Sequence, residues 1–565
     1  MSKLRPAQLG PIVGHTTASS ARVWIRGSAG DEGADIDGEC RTIGVIAIAW
    51  ENGRRPRRRR VHYFRLRREY DRTGTFTLGE ELGLKPADSA PAPLLPDTDY
   101  IVRVGTLLLD DPAPEDDSLS HDELAKRLPA AEVWLDDLEA LPAEESEARF
   151  RTFPAADAPA GRLSFIVGSC RYPGLLWKTK QSDAIFEPLL REAKGQDGRD
   201  AARLLLMVGD QIYADMLNRH VPLGLADTFE EFQQRYHSAF GSRHMRRLLR
   251  QLPAYMILDD HEIEDNWSQD RVRRAESRRV FNLAIAAYRS YQWVHGPSCY
   301  GQRLFYQFQC GRYPFFAMDS RTQRYMDDVP DNLDDNHLLG RPSLADEEPS
   351  QLDLLLAWLA DCQDKLGDTP KFIVSPSVFA PNPMDARSGR AGCGADRARW
   401  CEATDSWPAF PATRAALLRL IVEKRVQNVV FLSGDIHCSN IAELSLSGSA
   451  EAERLRVLSI TSSAFYWPFP FADGDPSGFV HDSRAQGQED GFDFCAGGKP
   501  HRMDYRAWNF TQEDNFCRVD VDPATAKLTV TAFGNQGQVL ESGGWFGQSG
   551  KPLRAELALA PWTET

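Results

Sequence analysis

Residues 204–213 read Leu204-Leu205-Leu206-Met207-Val208-Gly209-Asp210-Gln211-Ile212-Tyr213, an apolar run that meets a glycine, a carboxylate and then a phenol. An unbroken apolar run of strand length suits a strand buried on both faces, inside a sheet covered by helices. Gly209 lets the chain turn sharply at the strand end. Ligands of open α/β sheets sit just beyond such ends, so Asp210, whose two oxygens can bridge two cations, is a candidate metal ligand. Tyr213 could bind as phenolate, which demands a strongly acidic cation such as ferric iron, because a free phenol keeps its proton up to about pH 10. The competing structural reading is a helix N-cap aspartate followed by a core tyrosine.

The same pattern recurs three times. Leu163 to Val167 leads into Gly168-Ser169-Cys170, placing a thiol at the strand end; a metal would lower its pKa from about 8.5, and the alternative is an inert buried thiol. Ala254 to Leu258 leads into Asp259-Asp260-His261-Glu262. Asp260 is the candidate ligand there, and His261 is placed to protonate a leaving group. Asp259 and Glu262 would orient both from behind, and the alternative is a charged helix start. Val429 to Leu432 leads into Ser433-Gly434-Asp435-Ile436-His437, where strand alternation would put Asp435 and His437 on one side. Each motif alone is a weak signal; four in succession point to one shared site.

Outward from these motifs, further apolar runs at Phe315 to Met318 and Phe372 to Val374 alternate with helical segments. Phe229, Phe232, Tyr236 and Phe240 recur at helical spacing and predict a helix packed on the core. Residues 155–565 therefore read as an α/β unit with mixed or parallel sheets, β-rich again at Phe516 to Val521 and Leu528 to Phe533. Residues 1–154 read as an all-β sandwich, with strands at Ala21 to Ile25 and Ile43 to Trp50. Tyr100 follows a turn as in the tyrosine corner of immunoglobulin- or fibronectin-like domains. The Pro- and Ala-rich stretch Pro154 to Gly161 reads as a linker.

A chain of 565 residues exceeds one ordinary domain, and 42% apolar residues suffice for its cores. The net charge of −15 argues against nucleic-acid binding, which calls for a basic face. No apolar run approaches the eighteen or so residues of a membrane span, and the first residues show neither a signal core nor twin arginines, so a cytoplasmic protein is expected. Ten cysteines without a CxxC pair suggest reduced thiols. The run Arg54-Arg55-Pro56-Arg57-Arg58-Arg59-Arg60 reads either as a contact for phosphate-rich surfaces or as a solvated hairpin turning at Pro56. The stretch Glu144-Glu145-Ser146-Glu147 reads as solvated surface.

The four motifs, with Gly14 to Trp24 (Gly-His-Thr-Thr-Ala-Ser-Ser-Ala-Arg-Val-Trp), Met318-Asp319-Ser320-Arg321 and Asp405 to Arg414, resemble the alkaline phosphatase D (PhoD-like) family of metallophosphoesterases, relatives of the purple acid phosphatases. The resemblance implies an N-terminal immunoglobulin-like sandwich and a catalytic unit of two mixed sheets flanked by helices. It implies a ferric ion held by Cys170, Asp210, Tyr213 and His437, with Asp210 bridging to a second cation on Asp260 and Asp435. Ligand hardness agrees: thiolate, phenolate and imidazole suit a transition metal, and an all-carboxylate set suits calcium, with zinc, manganese or magnesium as other divalent candidates. One departure is the strand Phe372-Ile373-Val374-Ser375-Pro376-Ser377, which lacks the His or Gln that relatives usually supply to the second metal.

The implied activity is hydrolysis of phosphate mono- or diesters by a hydroxide activated between two cations about 3.5–4 Å apart. His261 would assist the leaving group. Arg321 would clamp the phosphoryl oxygens through its bidentate fork, with Arg171 as a further anion-binding candidate. No GxSxG elbow or P-loop offers another route. The alternatives are a phospholipase D-like diesterase and, from another class, a catalytically silent, metal-stabilised interaction protein. Monoester or diester preference and oligomeric state stay open at this point.

Overall fold

Alternation along the apolar strands sorts their side chains into layers. Leu206 and Val208 join one core while Leu205 and Met207 join another, because successive residues of a strand face opposite ways. The computed structural model describes residues 4–27, 42–57, 59–86, 88–108, 120–174, 180–195, 198–215, 224–326, 336–341, 343, 348–382, 406–469, 479–485, 490–542 and 550–562. Asp405 and Arg58 of the quoted motifs lie outside the described residues.

Two mixed sheets face each other. In the first, Ala254–Ile257, Leu205–Val208 and Leu163–Gly168 run parallel, and Asn515–Asp522, Lys527–Gly534 and Arg554–Ala558 continue antiparallel. In the second, Tyr313–Ala317, Lys371–Val374, Val429–Ser433 and Val457–Thr461 form a parallel centre flanked by antiparallel strands. Phe165 of the first sheet meets Phe315 and Phe372 of the second edge-on, at ring separations of 5.6 and 5.2 Å. Helices Phe186–Ala193, Phe229–Phe240, Arg243–Leu249 and Ala275–Tyr291 cover the first sheet. Helices Gln351–Leu366 and Pro411–Glu423 cover the second. The result is a helix–sheet–sheet–helix sandwich, the α/β arrangement expected from the sequence, with Phe232, Tyr236 and Phe240 buried on the expected helix.

The N-terminal residues build two further sheets, one ordered Leu4–Arg5, Asp99–Leu108, Thr42–Glu51, Val61–Arg65, with Glu147–Arg151 also on Asp99–Leu108, and one ordered Leu9–Thr16, Ala21–Arg26, Thr73–Leu78. They share a core around Val13, Val23, Phe76, Val102 and Val104, and the Tyr100 hydroxyl accepts the Leu95 N–H at 2.9 Å. The all-β expectation needs amending, because helices His121–Arg127, Leu135–Ala140 and Ala143–Ser146 intervene. Ser120 and Glu123 form a capping box that starts the first of them, and Leu124, Leu128 and Leu138 bury against Val45 and Tyr63. Glu144 and Glu145 lie on the last of these helices. The described residues of the arginine run lie between the strands Thr42–Glu51 and Val61–Arg65, with Arg55 and Arg59 paired to Glu139 and Arg60 to Asp88.

This module is fastened to the sandwich. The buried Trp24 indole donates to the Ser290 carbonyl at 2.9 Å. Asp71 accepts from Arg26 at 2.7 Å on each oxygen, lies 2.7 Å from His237 Nε2 and takes the Tyr291 hydroxyl. Among the described residues, no helix is long and apolar enough to cross a membrane.

Candidate metal centre

Glycines let the strand ends of both sheets close on one another. A Cβ on Gly209 would lie 2.3 Å from the Asp259 Cβ, and one on Gly434 would lie 2.5 Å from Ser169 Oγ and 2.7 Å from the Val208 carbonyl. The Cys170 and Arg171 N–H groups donate to the carbonyls of Gly209 and Asp210, at 3.2 and 2.8 Å. Cys170, Asp210, Asp435 and His437 all adopt left-handed backbone, with φ of 55°, 57°, 71° and 52°. Such conformations are uncommon outside glycine and persist where the surroundings enforce them.

The structure corrects one local expectation. Asp435 and His437 do not alternate along a strand, because the strand ends at Ser433 and two tight turns follow. These turns are closed by Ile436 N–H to Gly434 O at 2.9 Å and His437 N–H to Asp435 O at 3.0 Å. Nor is Asp210 a helix N-cap, since no helix begins there.

Donor atoms of Cys170, Asp210 and His437 lie within 4.8 Å of one another, as do those of Asp210, Asp260 and His261 and those of Asp259, Asp260 and Asp435. Asp210 Oδ2 is 3.3 Å from Cys170 Sγ and 3.2 Å from the Tyr213 hydroxyl, which in turn lies 3.2 Å from His437 Nε2. Cys170, Tyr213 and His437 thus gather around Asp210, and Asp435 and Asp259 around Asp260. The strand Lys371–Val374 and the serines after it contribute no member; Ser375 and Ser377 are buried and hydrogen-bonded to the Ser377 carbonyl and to Ser320.

The electrostatics call for a cation. Burial, with the carboxylates of Asp260, Asp259 and Glu262 and against the pull of His261, holds the Asp210 carboxyl well above its usual range. Burial and then Asp210 push the Cys170 thiol and the Tyr213 phenol up. Burial, aided by His261, lowers His437 to about 3, leaving it neutral as a metal ligand must be. Ionising these donors together is costly in a buried site unless positive charge enters. The donor set therefore fits a pair of metal ions, softer donors on one side of Asp210 and carboxylates on the other.

The positively charged neighbours take different places. Arg321, fully buried, donates through Nε to Asp259, and its Nη2 lies 3.6 Å from both Asp260 and Asp435. The sequence reads Arg321 as a substrate clamp; the fold sets its buried guanidinium among these three aspartates. Arg171 is also buried, but its contacts are Ser182 at 3.4 Å, Ser242 at 3.3 Å and the Phe186 ring, on the helix side.

Two features show how the ligand loops are held. Glu262 accepts the N–H groups of Asp259, Asp210 and Gln211, at 2.9, 3.1 and 2.7 Å, clamping two loops with one carboxylate; burial raises it to about 7 against those hydrogen bonds. Asp215, absent from the sequence reading, sits 2.9 Å from His261 Nδ1 and accepts the Asp265 N–H at 2.7 Å. Its signal was an acidic residue directly after the apolar Ile212-Tyr213-Ala214, fully buried in the fold. Burial opposes the His261 imidazolium, yet Asp215, Asp260 and Asp210 outweigh it and hold its pKa well above normal. Trp467, stacked on His437 at 3.5 Å and 7°, carried no sequence signal at all.

Comparison with known proteins agrees in kind. A profile of a family described as PhoD-like phosphatase matches residues 190–467, a span that contains all these candidates except Cys170 and Arg171. Alkaline phosphatase D of Bacillus subtilis (strain 168) is 23% identical over 316 residues, 51% of this chain and 48% of the relative. The chain thus matches over about half the length of that curated relative. A solved structure titled "Structure of PhoD" superposes with a TM-score of 0.58 at 16% identity, covering 94% of this chain and 86% of that one, which shows a shared fold.

Proposed function

As a member of the PhoD-like phosphatase family, the chain is, we propose, a metal-dependent phosphoesterase acting on phosphate mono- or diesters. The observation that carries this reading is the position of Asp210, shared between a thiol–imidazole set and a carboxylate set, with His261 against it. Cys170, Asp210, Tyr213 and His437 would hold a ferric ion, and Asp210, Asp260 and Asp435, with Asp259 beside them, a calcium ion. When bound, the cations supply the activation of water and the positive charge that phosphoryl transfer needs.

The chain's own residues do the rest. Glu262 fixes the loops of Asp210 and Asp259, and Arg321 keeps the carboxylates in place. His261, anchored at Nδ1 by Asp215, presents Nε2 as the atom that hands a proton to the departing ester oxygen. Asp215 lies outside the candidate ligand sets. The N-terminal module, read as an immunoglobulin-like sandwich, serves as a buttress against the Ala275–Tyr291 helix.

Turnover of p-nitrophenyl phosphate and bis-p-nitrophenyl phosphate tests the proposal. Wild type should hydrolyse at least one of the two, His261→Ala should keep its metals and lose most of the rate, and Asp210→Ala should lose both. A fully active Asp210→Ala protein is incompatible with the reading.

A further inference from the structure

Resting on the phosphoesterase reading, we infer that Trp467 and Phe469 form a subsite for a flat aromatic or heterocyclic group on the ester, so that aryl or nucleoside phosphoesters are preferred over alkyl ones. The wall beside the soft-donor set is aromatic: Tyr172, Tyr213 and Tyr466 are buried there, while Trp467 and Phe469 are only partly covered. Trp467 meets Phe469 at 5.1 Å and 71°, and Tyr172 at 5.5 Å and 88°, so the rings make a corner. A corner of that kind offers a flat guest one ring face and one ring edge.

Its position beside the candidate ligands is held by hydrogen bonds. The Tyr466 N–H donates to the Cys170 carbonyl at 3.2 Å and the Tyr172 N–H to the Tyr466 carbonyl at 3.1 Å. The Trp467 N–H is held by Asp514 at 3.1 Å. The segment bearing the indole is thus laced to the loop bearing a candidate ligand, and the same indole lies on the His437 ring. The carboxylates of Asp259, Asp260 and Asp435 form a separate donor cluster from Cys170, Asp210 and His437, so a bound ester would direct its phosphoryl group toward the cations and its organic group toward the rings. Packing support for His437 alone would explain Trp467 but not Phe469, whose ring contacts are Tyr172 and Trp467.

The test uses the metal-loaded full chain. Calorimetric titration should show phenylphosphonate binding about tenfold more tightly than methylphosphonate, and Phe469→Ala and Trp467→Ala should bring the two near parity. In parallel, Phe469→Ala should raise KM for bis-p-nitrophenyl phosphate more than it lowers kcat, with metal content unaltered. Equal binding of the two phosphonates by wild type, or a phenyl preference that survives both substitutions, overturns the subsite while hydrolysis itself stands. A metal-loaded protein that hydrolyses no phosphoester and binds neither phosphonate removes the phosphoesterase reading, and the subsite falls with it.

Discussion

Asp215 offers both carboxylate oxygens to a single ring nitrogen of His261, at 2.9 and 3.0 Å from Nδ1. That contact fixes the tautomer and raises the basicity of the ring, the arrangement a general acid needs. Asp215→Asn should therefore keep the metals and lower kcat by about 10²-fold. The sign of the pH effect follows: without the carboxylate the His261 pKa falls, so the alkaline limb of the rate profile should move to lower pH. An unmoved alkaline limb would show that Asp215 is only structural.

Gly209 turns the chain at φ 90°, and any Cβ there would lie 2.3 Å from that of Asp259. Gly209→Ala should destabilise the protein by roughly 2 kcal/mol or more, through backbone strain and the clash together. Denaturant unfolding reads the first effect. Reduced metal content at equal protein concentration reads the displacement of Asp259 and Asp210.

Tyr213 brings its hydroxyl to 3.2 Å from both Asp210 and His437, while its ring packs on His261 at 4.2 Å. Tyr213→Phe should leave the fold intact and abolish a visible phenolate-to-iron absorption band. A band that survives the substitution would transfer the colour to Cys170 or exclude a phenolate ligand.

Asp71 ties Arg26 of the N-terminal module to His237 and Tyr291 of the sandwich. Burial opposes its ionisation, but the hydrogen bonds from His237 and Arg26 prevail and hold its pKa below the usual carboxylate range. A depressed carboxylate contributes stability above its unfolded pKa and loses it as pH falls toward the folded one. Asp71→Asn should cost about 3 kcal/mol at neutral pH. The gap from wild type should narrow below about pH 4, as followed by thermal unfolding across pH.

The sheets were legible because their strands are unbroken apolar runs, and the candidate ligands because each follows such a run directly, as Asp210 follows Val208 and Gly209. Helices 121–146 escaped the reading, since the Ser120–Glu123 capping box is short and the surrounding acidic composition masks three buried leucines. The turn at Asp435–His437 escaped it because left-handed conformations at aspartate and histidine are imposed by tertiary packing, not by local propensity. Asp215 and Trp467 act through partners 46 and 30 residues away in sequence, distances over which periodicity says nothing. Arg321 reads as an anion clamp in isolation, and its place among three aspartates drawn from two distant loops has no local signal.

Metal-dependent phosphoester hydrolysis is tested by elemental analysis of the purified full chain, paired with turnover of bis-p-nitrophenyl phosphate before chelation, after it, and after metal return. Two metal ions per chain are expected, one of them iron, with activity lost on chelation and recovered on reloading, and with Asp210→Ala unable to recover either. Undiminished hydrolysis by a chain stripped of metal would contradict that dependence.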